Sequence, residues 1–135
     1  MTALSVLQRQ EVYAVEVSDI DELISDMSEF VRQAETNSSG FVWFFQNSPD
    51  EAVPSLVVGM RRDRGALMWC EQDEGFVPVA GANLDHADYF TWDSHHFCFP
   101  PGSEVQINLV HEAVQEYVRT GQRPACVEWR LDEES

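Results

Sequence analysis

Side chains able to do chemistry concentrate in one short stretch, His86 to Cys98. It holds His86, Asp88, Asp93, Ser94, His95, His96 and Cys98. Imidazole and carboxylate groups this close together are the ligand types of a transition-metal site. The spacing argues against one. On an extended strand Asp93 and His95 share a face while His96 points away, and further ligands must come from elsewhere. The remaining histidine, His111, lies beside the apolar stripe of a helical segment, where a hydrogen-bonded histidine is ordinary. A Cys98–His95 nucleophilic pair needs an exposed, activated thiolate. Flanked by Phe97 and Phe99, Cys98 is expected to turn its sulfur to the core. Ser94 has no G-x-S-x-G elbow around it, and the chain has no P-loop, G-x-G-x-x-G or H-E-x-x-H pattern. Neither a catalytic set nor a metal or cofactor site is expected.

The elements that would carry such groups follow from pattern. Gln10 to Val17 alternates as a strand. Ser18 opens a helix, with Asp21 as its capping-box partner, and the helix is expected near residues 19–36. Ile20, Leu23, Ile24, Met27, Phe30, Val31 and Ala34 form its apolar stripe. Asn37-Ser38-Ser39-Gly40 stops it. Strand-like runs follow at Phe41–Gln46, Ser55–Arg62, Ala66–Glu71, Phe76–Val79, Tyr89–Trp92 and His96–Phe99, with Asp63-Arg64-Gly65 as a hairpin turn. A second helix is expected over residues 108–120, with Gly121 at its C′ position and Pro124 barring continuation. Ala125 to Leu131 alternates as a closing strand. The order predicts an α+β fold: an antiparallel or mixed sheet of about five to seven strands, with both helices on one face. Residues 1–135 are expected to form a single domain, frayed at 1–9 and 132–135.

Charge and composition narrow the function classes. The net charge is -16, from 24 acids and 8 basic residues, all of them arginine. Such a chain is repelled by nucleic-acid backbones and by anionic membranes. It suits either plain solubility or a cationic partner steered in by the field. Hydrophobic residues at 44% and aromatics at 11% fit a packed core. Cys70, Cys98 and Cys126 are odd in number and widely spaced, which is no disulfide framework. Each lies in an apolar stretch, so each is expected to be buried and free. There is neither a signal-peptide pattern nor a run of about 18 apolar residues, and a cytoplasmic protein is expected.

Aromatic residues lie beside acids. In Phe41-Val42-Trp43-Phe44-Phe45, alternation puts Phe41, Trp43 and Phe45 on one face and Val42 and Phe44 on the other. Such a strand is either central or meets a partner. The segment Asp85 to Asp93 interleaves acids with Tyr89, Phe90 and Trp92, the make-up of a protein-binding hot spot or of an ordinary strand. Asp85, Asp88, Tyr89, Trp92 and Asp93 are the candidate partner-binding residues.

Further along, Phe99-Pro100-Pro101-Gly102-Ser103-Glu104-Val105 leads into a helix through Ala113-Val114-Gln115-Glu116-Tyr117-Val118. The chain then closes with Thr120-Gly121-Gln122-Arg123-Pro124 and Val127-Glu128-Trp129. This ending resembles the C-terminal half of an immunity-protein family of bacterial polymorphic toxin systems. That family occurs largely in actinobacteria, often beside toxins of the deaminase superfamily. Its layout is similar from Val12 to Trp129, and the specific likeness runs from Phe99 to Trp129. The resemblance implies a small acidic protein that binds a cognate toxin domain, basic and nucleic-acid-directed, and occludes its active site. It implies no catalysis, no cofactor and no metal. A monomer or homodimer fits equally.

The alternative is a small-molecule-binding or small-molecule-modifying protein of secondary metabolism, with Trp43, Trp69, Tyr89, Trp92 and His95 lining a pocket. An exposed acidic and aromatic surface favours the first reading. A closed cavity with convergent polar groups favours the second.

Overall fold

The computed structural model describes residues 11–33, 40–49 and 54–132. Strand β1 (Glu11–Tyr13) runs into a 3-10 turn at Ala14–Glu16 and then helix α1 (Ile20–Gln33). Seven strands follow: β2 (Gly40–Gln46), β3 (Ser55–Met60), β4 (Arg64–Glu71), β5 (Glu74–Pro78), β6 (Ala87–Phe90), β7 (His96–Phe99) and β8 (Glu104–Gln106). Helix α2 (Ile107–Thr120) and β9 (Trp129–Leu131) close the fold. The architecture is α+β, as the pattern predicts. Its sheet runs β7-β6-β2-β3-β4-β5-β9, with β1 added beside β2 and β8 beside β4. It is mixed: β1 and β6 lie parallel to β2, and the other pairings are antiparallel.

Both helices cover the same face. Leu23, Ile24, Met27 and Val31 of α1 join Val110, Ala113, Val114 and Tyr117 of α2 over Trp43, Phe45, Leu56, Val58, Leu67 and Trp69. Burying each large side chain of this kind is worth roughly 1.5–3 kcal/mol, so this layer carries the fold. Strand β2 is central, which decides between the two readings of its aromatics. Its other face, Val42 and Phe44, packs with Val57, Ala66, Tyr89, Phe97 and Phe99 in a second core. There the sheet curls, bringing the β6–β7 hairpin over β3. A Cβ added at Gly59 would meet Tyr89 and Phe99 ring atoms at 2.7–2.9 Å, so only glycine leaves room for the two rings.

Several local expectations are corrected. The first strand ends at Tyr13, and Val15 is exposed on the 3-10 turn. Asp19 caps α1, its Oδ1 accepting from the Glu22 N–H at 3.1 Å, in place of Ser18. The closing strand holds only Trp129–Leu131, and the short β8 was not foreseen. Gly121 ends α2 in the left-handed conformation at φ 70°, donating its N–H to Tyr117 at 2.7 Å. The stop at Asn37-Ser38-Ser39, Ala34 on the stripe, and residues 1–9 and 133–135 of the ends expected to fray lie outside the described residues, whereas Asp132, the first residue of that expected tail, is buried and donates its N–H to the Gly75 carbonyl at 2.8 Å.

The cysteines are also corrected. Cys70 is half-buried, while Cys98 and Cys126 are exposed. Phe97 and Phe99 take the inward positions of β7, and alternation turns Cys98 out between them.

Candidate functional site: the β6–β7 hairpin and its supporting loop

The hairpin is closed by a three-residue loop, Trp92-Asp93-Ser94. Thr91 donates its N–H to the His95 carbonyl at 2.9 Å, and Ser94 donates to the Thr91 carbonyl at 3.0 Å. This is a turn followed by a left-handed residue, here Ser94 at φ 72°. The Thr91 hydroxyl reinforces it. It donates to Asp93 at 2.5 Å and accepts from the His95 N–H at 3.0 Å. Asp93 also meets His95 Nδ1 at 3.2 Å. The turn lifts Trp92 to the hairpin tip at 41% exposure. Trp43 and Trp69 are buried and Trp129 is half-buried. Trp92 alone of the four is turned out.

Alternation along β6 sorts its residues. Asp88 and Phe90 face out, and His96 of β7 lies across from Phe90. His96 Nε2 meets Asp88 at 2.7 Å, and its ring sits 5.2 Å from that of Phe90. Ala87 and Tyr89 face in. Tyr89 is fully buried, so it supports the site from beneath and takes no place on its surface. Its hydroxyl donates to Glu104 Oε2 at 2.7 Å. Arg61 lies with its guanidinium 4.8 Å above the Tyr89 ring and its Nε 3.5 Å from the same carboxylate. Burial, then the hydrogen bond to Glu104, pushes the Tyr89 phenol far above its usual range. It therefore stays a neutral donor at every physiological pH.

Asp85 sits in the loop before β6, exposed, on the lip of a cleft of about 380 Å³ that Arg61, Asp88 and Glu104 also line. Asn83 fixes this loop. Its Oδ1 accepts from the N–H groups of Ser103 and Glu104 at 2.9 and 2.8 Å, and its Nδ2 donates to the carbonyls of Asp85 and Pro100. Next to it Leu84 is 91% exposed, the most exposed large hydrophobic side chain among the described residues. Neither Asn83 nor Leu84 stands out in the sequence as a site residue. The available signal was a lone large aliphatic in a polar, aperiodic loop.

The structure thus brings Asp85, Asp88, Trp92 and Asp93 to one exposed hairpin and its approach loop. It does not gather the alternative pocket residues. Trp43 and Trp69 are in the helix-side core, Tyr89 is in the core on the opposite face, and Trp92 and His95 are exposed. Residues on opposite faces of one sheet line no common cavity. Among the described residues, no three His, Cys, Asp or Glu side chains assemble as a metal-binding group. No described helix is long and apolar enough to cross a membrane.

An acidic α+β scaffold thus carries an exposed tryptophan and acids on one hairpin. The sequence matches the immunity protein family Imm1 over residues 8–131, nearly the whole chain, and the protein belongs to that family. Immunity proteins bind a cognate toxin and neutralise it, and they are generally not enzymes. A comparison with curated proteins gives no match.

Proposed function

We propose that this immunity protein acts in the cytoplasm of the producing cell against a toxin that attacks nucleic acid. It lays the β6–β7 hairpin and the Leu84–His86 loop that precedes it over the toxin's basic substrate groove. The observation that carries this reading is Trp92, outward at the hairpin tip, with Asp93 next to it in the turn and Asp88 and Asp85 exposed along the strand and loop that lead to it, on a chain of charge -16. A toxin that grips a phosphate backbone presents cations around its active site. Acids on the inhibitor meet those cations with the sign of the substrate and steer encounter. Trp92 and Leu84 supply the apolar anchors that hold the complex once formed. Occlusion of this kind needs no bond-making, and the acids serve as fixed charges.

The test is a kinetic titration against the cognate toxin domain across salt concentrations. Asp85→Asn with Asp88→Asn lowers the association rate at low salt and matters less at high salt. Trp92→Ala speeds dissociation at every salt concentration, by about 2 kcal/mol or more for a hot-spot residue. Salt-independent association, untouched by either change, places the interface elsewhere.

A further inference from the structure

Strand β7 has one neighbour among the described strands, β6. The bonded turn pair Thr91/His95 sets the ladder's phase, so the next hydrogen-bonded pairs are Tyr89/Phe97 and Ala87/Phe99. The backbone N–H and C=O groups of His96 and Cys98 therefore point away from β6, along the outer edge. Beside Cys98 opens a cleft of about 410 Å³. Met68, Cys70 and Gly75 give it apolar lining, and Asp73 and Glu74 of the β4–β5 turn give it acids. That turn is exposed, and Glu71 stands directly opposite Glu74 in its register. Like charges opposed across a hairpin repel, and an arriving cation relieves them.

We propose that this edge and cleft receive an extended, basic segment of the toxin as an added strand. The inference rests on the reading of the chain as a toxin inhibitor and deepens it. Main-chain bonds to His96 and Cys98 set the register. One arginine or lysine of the segment lays its aliphatic stem on Met68 and Cys70 and brings its charge to Asp73 and Glu74. A second copy of this chain is the wrong occupant, because each copy carries -16.

The test follows hydrogen exchange by NMR, residue by residue, in the free protein and with the toxin domain. The His96 and Cys98 amides slow at least tenfold in the complex. Relative to Cys98→Ala, which removes the thiol beside the cleft alone, Cys98→Pro also deletes the outward N–H, at a position where an edge strand tolerates proline. It weakens binding at least tenfold. Asp73→Asn with Glu74→Gln weakens binding and flattens its salt dependence, which keeps the test decisive if the proline variant fails to fold. A complex in which both amides exchange as in the free protein, with wild-type affinity for the variants, overturns the added strand and leaves the inhibitor reading standing. Protection of the same amides in the protein alone at high concentration overturns it in favour of self-association. Absence of any complex overturns both.

Discussion

Tyr89→Phe isolates one hydrogen bond in the support beneath the hairpin. The ring stays, so packing against Gly59 and Phe99 is kept. What disappears is a 2.7 Å bond from a buried hydroxyl to the buried Glu104 carboxylate. A bond to a charged acceptor contributes about 1.5–3 kcal/mol. Arg61 still reaches Glu104 at 3.5 Å, and the guanidinium is partly solvated, so the lower half of that range applies. The expected loss is about 2 kcal/mol, or about 7 °C in Tm for a chain of this length. Urea denaturation and calorimetry measure it, and a cycle with Glu104→Gln should return a coupling of about 1–2 kcal/mol. Tyr89 touches no partner in this account, so toxin affinity should hold. A Tyr89→Phe protein within about 0.5 kcal/mol of wild type, with no coupling to Glu104, would mean that this bond does not support the hairpin.

Two further changes follow from local geometry. Ser94 sits at φ 72°, a left-handed conformation that costs a non-glycine residue about 1–2 kcal/mol, so Ser94→Gly should gain about 0.5 kcal/mol after the entropy of glycine is counted. A denaturation midpoint below wild type contradicts that. Glu116 accepts the Ala125 and Cys126 N–H groups, and those bonds hold its carboxyl below the ordinary range. A carboxyl depressed in the folded state adds stability above its unfolded pKa, lost as pH falls through the folded value. Glu116→Gln should therefore be less stable than wild type at pH 7, with the gap closing below about pH 4. A gap that is the same at both pH values contradicts the assignment.

The helices were the most legible part of the chain. The stripe from Ile20 to Val31 and the Gly121 stop are local signals, written within a few residues of where they act. Alternation sorted the β2 side chains onto two faces, because Phe41, Trp43 and Phe45 repeat with the period of the strand itself. It said nothing of which face would be covered. That depends on the curl carrying β6–β7 over β3, which Gly59 permits and no local pattern announces. Tyr89 was open between a partner surface and an ordinary strand, and the curl buries it, while Cys98, expected in the core, is turned out by alternation between Phe97 and Phe99. Asp85, Asp88, Trp92 and Asp93 were visible as an acid and aromatic cluster. Asn83, Arg61 and Glu104, which hold the site, were not, because they meet only through tertiary folding. Asn83 and Glu104 are 21 residues apart in sequence. The short β8 escaped because three residues carry too little alternation to register.

Stoichiometry of neutralisation separates occlusion of the toxin from every catalytic alternative. The cognate toxin domain is held at a fixed concentration well above the dissociation constant, the protein is titrated in, and residual toxin activity is read at each ratio. Stoichiometric occlusion predicts a linear fall to zero at one immunity protein per toxin, with Trp92→Ala bending the line into a shallow curve. Full toxin activity at a large excess of the protein contradicts the account, and so does complete inactivation at a small fraction of an equivalent, which only a catalyst achieves.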